Sequence, residues 1–217
     1  MRQFVIGLTA LSFAAGCETA QGLLSDKAIS SPQQEESRPE QAEPKWREAC
    51  PQPTASGPRN SLTFSLKYTR SESSKDSNSS RLSAQYDGHI LTLYGPYGTC
   101  TRGRCMHKEV AFVPTEAEII ELRGQLERHD LWMGLNEEAN TDFSGRRVGS
   151  THTTTMALKL TDDQRTVSST VAYGSAYGRE TVETGSDAAR QKTNSVHSVL
   201  IDLHKTALRC FPDFHTQ

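Results

Sequence analysis

The sequence predicts an α+β fold: an antiparallel sheet of hairpins with two helices packed on it, stapled by disulfides. Three observations point there. Stretches that alternate apolar and polar residues come in pairs around turn dipeptides, which is how hairpins read. Two other stretches repeat apolar residues at helical spacing. The elements run strands, helix, strands, helix, an order that favours helices gathered on one face of an antiparallel sheet.

The first strand is Leu62-Thr63-Phe64-Ser65-Leu66-Lys67-Tyr68, whose alternation puts Leu62, Phe64, Leu66 and Tyr68 on one face. Leu82 to Tyr86 and Ile90 to Tyr94 flank Asp87-Gly88, a pair suited to a tight turn because glycine tolerates positive φ. Val110 to Val113 is a further short strand, which Pro114 ends by removing a backbone donor. Thr115-Glu116-Ala117-Glu118 then fits a capping box, followed by Ile119, Leu122 and Leu126 at helical spacing. A helix from Glu116 to about His129 follows, and Trp132 is expected to pack its end back onto the sheet. Thr151 to Leu160 and Arg165 to Ala172 form a second hairpin around Asp162-Asp163. After a Gly- and Ser-rich link, Asn194 or Ser195 caps the last helix, with Val196, Val199, Leu200, Leu203 and Ala207 as its stripe.

Outside these elements the composition changes. Ser71 to Ser80 has no apolar residue and reads as a solvated loop. From Glu18 to about Asn60 the chain is rich in Gln, Glu, Ser and Pro, too polar to offset the entropy of ordering. Glu18 to Ala49 reads as a tether with a coil-like reach on the order of 30 Å. The expected organisation is a signal segment over 1–16, a linker over 17–60 and one α+β domain over 61–211.

The start of the chain carries its own signal. Met1 to Gly16 combine an early charge, Arg2, with an apolar run from Phe4 to Ala15, about a dozen residues where a spanning helix needs roughly 20. Ala14-Ala15-Gly16-Cys17 resembles the bacterial lipobox, with Ala14 standing where that family usually has Leu. The resemblance implies cleavage before Cys17 and acyl chains on that residue, palmitate among them, enough for stable membrane attachment. Glu18 follows where Asp would favour inner-membrane retention, so the resemblance implies the outer membrane before the inner one. The domain would then face the periplasm or the cell surface.

Apart from Cys17, the cysteines are Cys50, Cys100, Cys105 and Cys210, an even number that suggests disulfides in an exported chain. Three pairings exist. Cys50 with Cys210 and Cys100 with Cys105 are favoured, because the first two bracket the domain and the others share the loop TCTRGRC. Loop entropy assigns about 5 kcal/mol to the long closure and about 2 to the short one. Zinc on Cys100, Cys105, His107 and His89 is the metal alternative, but the spacing matches no standard finger, and the short CxxC spacing of redox sites is missing. No metal and no cofactor are expected.

Arg102, Arg104, His107 and Lys108 gather at the same loop, with Tyr94, Pro96 and Tyr97 before it. A stapled basic and aromatic loop could dock an acidic protein partner or a lipid headgroup, against the plainer reading of a solvated hairpin tip. His197 and His204, seven apart on one helix face, read as core-edge histidines before half a metal site. A net charge of -2 gives no global basic surface for nucleic acid. GxSxG, HExxH, Walker and GxGxxG motifs are absent, which lowers the case for an enzyme, although seven His and 26 acidic residues leave room for a site assembled by folding. The order of hairpin, helix after Pro114-Thr115 and Glu118, hairpin and closing helix resembles that of emfourin-type metalloprotease inhibitors. The expectation is therefore an envelope lipoprotein bearing a non-catalytic binding or inhibitor-like module. The alternatives are a hydrolase or metal-dependent enzyme and a structural envelope lipoprotein.

Overall fold

The alternating stretches become strands of one sheet in the computed structural model, which describes Cys50, Pro53 and residues 57–73, 78–101, 104–144, 148–179 and 181–214, all within the unit Gln41–Gln217. In chain order the elements are β1 (Thr63–Ser73), β2 (Asn78–Tyr86), β3 (Leu91–Thr101), β4 (Arg104–Phe112), α1 (Glu116–Arg128), β5 (Asn136–Glu138), β6 (Val148–Thr161), β7 (Thr166–Gly178), β8 (Val182–Glu183) and α2 (Asp187–Ala207). The sheet runs β4-β3-β2-β1-β6-β7-β5, with β8 paired to β7. Every pairing is antiparallel except β5 with β7. The class is α+β, as the element order predicts.

Cross-strand register builds the core one row at a time. Phe64 lies between Tyr86 and Leu160, Leu66 between Ala84 and Leu158, and Tyr68 between Leu82 and Met156; all nine are buried. α2 packs over these rows, touching β1, β2, β3, β6 and β7, and buries Val196, Val199, Leu200, Leu203 and Ala207. The stripe is the one its spacing predicts. Thr63, Ser65, Lys67 and Thr69 occupy the opposite face of β1, where polar side chains suit a sheet with one solvated side.

Local chemistry accounts for the ends of the elements. At the β2–β3 turn, Asp87 Oδ1 accepts from the backbone N–H groups of His89 (2.9 Å) and Ile90 (2.7 Å), and Gly88 has φ of 95°. A Cβ at Gly88 would also meet the Asn60 carbonyl at 2.5 Å, so the turn requires glycine twice over. The capping box of α1 forms as predicted: Glu118 N–H donates to Thr115 Oγ1 and Thr115 N–H to Glu118 Oε2. His129 caps its other end. Trp132 packs against the core, with the Arg165 guanidinium 4.0 Å from its ring centroid.

Three expectations are corrected. Ser71 to Ser80 is not one loop, since β1 continues to Ser73 and β2 begins at Asn78, with Glu72 opposite Asn78. Pairing between β1 and β2, and of β1 with β6, carries the polar residues Ser71 to Ser73 and Asn78 to Ser80. β7 likewise runs on to Gly178 through part of the predicted link. α2 begins at Asp187 rather than after Asn194 or Ser195, capped by Ser186, whose Oγ accepts from Ala189 N–H at 3.1 Å. Periodicity missed that first half because Lys192 and Thr193, both polar, are buried there. Lys192 Nζ donates to the carbonyls of Asp130 and Met133, each at 2.6 Å, and so ties α2 to the turn that follows α1. Burial pushes this ammonium below its ordinary pKa, with Asp130 opposing.

Cys50 is bonded to Cys210, closing a loop with a sequence separation of 160. Arg209 reinforces the clasp by donating to Glu118 at 3.0 and 3.1 Å and to Cys50 Sγ at 3.5 Å. Past the disulfide, Phe211 and Phe214 return to the core, and Gly98 N–H donates to the Asp213 carbonyl at 2.8 Å. The packed region thus includes Cys50 at one end and Phe214 at the other.

Candidate functional site

Beyond Tyr68 the helix-facing side of the sheet turns polar. The next row is Arg70, Thr154 and Tyr173, and the row after it Glu72, His152 and Ser175, on β1, β6 and β7. From above, α2 contributes Arg190, Asn194 and His197, spaced to lie along one helix face. Between these elements lies a cleft of about 220 Å³. Its floor carries Tyr68, Thr154 and Gly174, and its rim Arg70, Asn194, Tyr177 and Glu183.

The side chains around the cleft are held by neighbours. His197 lies over Tyr68, with ring centroids 4.4 Å apart. Arg190 Nη1 donates to Glu183 at 2.6 Å, which fixes one rim cation. Arg70 has no ion pair among the described residues. His152 meets Tyr177 edge-on at 5.3 Å, and its Nε2 stands 3.8 Å from Glu72. Its Nδ1 is buried with no hydrogen-bond partner among the described residues. Glu72, His152 and Ser175 are the residue types of an acid–histidine–serine relay, and register sets them side by side. With Nδ1 unpartnered and Nε2 beyond hydrogen-bond reach of the carboxylate, the relay is not connected.

The predicted basic and aromatic loop is divided by the sheet. Tyr97 is buried against Phe214 with Lys108 above its ring, on the helix side. Tyr94 and His107 stack at 5.7 Å, and alternation along β3 and β4 puts them on the other side. Arg102 and the side chains of Cys100, Arg104 and Cys105 lie outside the described residues, and so does the Cys100–Cys105 pairing. Thr101 stands opposite Arg104, with a register shift between that pair and Tyr97 opposite Met106. His89 sits at the far end of β3 from that loop, roughly 30 Å away at about 3.3 Å per residue, and cannot join a metal site there. Among the described residues no three His, Cys, Asp or Glu side chains converge to hold a metal.

His204 is a core residue. Its Nδ1 lies 2.6 Å from the Leu200 carbonyl and its Nε2 3.3 Å from that of Tyr94, with the ring stacked on Phe214. A Cβ on Gly95 would meet the ring at 2.5 Å. Burial lowers its pKa, and the two carbonyls oppose that shift without overcoming it. Burial, then Arg70, lowers that of His197 as well. In both cases the folded pKa lies below the unfolded value of about 6.5. The stability they contribute is present above that value and is lost as pH falls through the folded pKa. The urea midpoint is expected to drop between pH 7.5 and 5, with a smaller drop in His197→Gln; a flat midpoint would contradict this.

Sequence reading singled out Tyr68 as a core position and missed Arg70, His152, Tyr173, Arg190 and Asn194. The available signal was Arg70 continuing the inward alternation of Leu66 and Tyr68. Fold and cleft together define an α+β domain, clasped by a disulfide, with a polar ligand-sized recess where its second helix leaves the apolar core. Compared with family models and with curated proteins, the chain matches none at a significant level.

Proposed function

We propose that this protein is a lipid-anchored envelope protein whose domain is a non-catalytic binding module, with the cleft beside Arg70 as its ligand seat. The cleft carries the reading: an uncommitted guanidinium and several neutral hydrogen-bonding groups surround a recess, while the one relay-like row is unconnected. Such a site can hold a ligand and lacks an activated nucleophile. Presentation from a membrane rests on the lipobox-like Ala14-Ala15-Gly16-Cys17, with the outer membrane preferred because Glu18 follows. Among the described residues no helix is long and apolar enough to cross a membrane.

Two variants in the parent organism test both halves. Cys17→Ser is expected to remove the lipid mass from the N-terminal peptide and release the protein from membranes. Ser175→Trp, on the sheet face within the cleft, is expected to leave it membrane-bound and folded while reproducing the phenotype of the deletion. A Cys17 peptide without lipid in the wild type overturns the anchor. Wild-type behaviour of Ser175→Trp overturns the seat.

A further inference from the structure

We infer that the cleft takes a small, hydroxyl-rich carboxylate of the sugar-acid class. This rests on the cleft being the ligand seat proposed above.

Charge comes first. Of the two arginines that line the cleft, Arg190 is committed to Glu183 at 2.6 Å, and Arg70 has no ion pair among the described residues. A guanidinium offers a planar fork that meets a carboxylate with two parallel N–H···O bonds, so one free arginine matches one carboxylate. Neutral groups come next. Thr154, Ser175 and Asn194 all border the recess, and each can both donate and accept. Hydroxyl groups on the ligand satisfy partners of that kind. Inorganic phosphate brings few O–H donors for the Asn194 carbonyl and, near neutral pH, about two negative charges against one guanidinium, whereas a sugar acid brings one charge and several hydroxyl groups.

Size and shape complete the argument. At about 220 Å³ the cleft is smaller than the roughly 300–1,000 Å³ of drug-sized sites. That suits a ligand of monosaccharide size rather than an oligosaccharide. The Tyr173 and Tyr177 rings give the cleft aromatic walls, suited to the apolar C–H face of a pyranose.

Titration calorimetry of the full-length protein in detergent, with glucuronate, glucose and inorganic phosphate as probes, decides the matter. Glucuronate is expected to bind at least tenfold tighter than either other probe. Arg70→Gln should weaken glucuronate at least tenfold and erase its advantage over glucose, and Arg70→Lys should restore only part of it. Arg81→Gln, on the opposite face of the sheet, should change nothing. Arg70 is exposed, so its variants are expected to keep the wild-type melting temperature, which confirms that lost binding is not lost folding. Equal binding of glucose and glucuronate, a preference for phosphate, unchanged affinity in Arg70→Gln, or no binding of any probe overturns the ligand class. None of these results bears on Ser175→Trp in cells, which judges the ligand seat separately.

Discussion

Removing the Cys50–Cys210 bond, as Cys50→Ala/Cys210→Ala, is expected to lower the unfolding free energy by about 3 to 5 kcal/mol. The bond joins residues with a sequence separation of 160, and loop-closure entropy for such a length amounts to about 5 kcal/mol at 25 °C. The lower figure allows for residual order in the unfolded chain. The loss falls on the native state as well. Cys50 and Cys210 are buried in the core cluster, and Arg209 loses its contact with the Cys50 sulfur while keeping Glu118. Urea unfolding with and without reductant checks the prediction: reductant should shift the wild type by at least as much as the double substitution does, since it would also open a Cys100–Cys105 bond. A wild-type shift under 1 kcal/mol in reductant would show that the clasp contributes little.

Phe214→Ala is expected to cost about 3 to 5 kcal/mol, the range for truncating a buried aromatic ring. Phe214 is 1% exposed, only three residues from the end of the chain. Its ring lies parallel to that of His204 at 4.9 Å and tilted against Tyr97 at 6.3 Å. Its backbone segment is held by the bridge to Tyr97 and the Gly98 to Asp213 hydrogen bond. Truncation therefore opens a cavity and brings water to one face of His204. The His204 ring should titrate at a higher pH in the variant than in the wild type, because burial is the main cause of its lowered pKa. Urea unfolding measures the first effect and NMR titration of the ring the second. A loss under 1 kcal/mol would mean that the terminal segment only rests on the domain.

Much of the fold was legible because its signals are local. Thr115 and Glu118 meet across one helical turn, Asp87-Gly88 bends within four residues, and the alternation from Leu62 to Tyr68 needs only the pleat of a strand. The clasp was legible for a different reason: with Cys100 and Cys105 close together in sequence, Cys50 and Cys210 remained as a pair. The extension of β1 and the early start of α2 were hidden, since the polar residues Ser71, Glu72 and Ser73 pair with β6 and Lys192 is held by the turn after α1, partners distant in sequence. Lys192 is the plainest case, because its carbonyl partners at Asp130 and Met133 lie some sixty residues back.

The candidate site divides along the same line. Sequence alone could gather Tyr94, Tyr97, His107 and Lys108 as near neighbours, but strand alternation, once the register was set, put them on two faces of the sheet. Arg70, His152, Tyr173 and Arg190 come from β1, β6, β7 and α2, and only the order of strands makes them neighbours. By itself the sequence determined the main strands and the two helices, the cap of α1, the Asp87-Gly88 turn and the inward face of β1, because these depend on residues within a turn or a pleat of one another. Tertiary structure alone decided the strand order, the parallel β5 and the cleft, because those depend on which rows of side chains meet when distant strands pair.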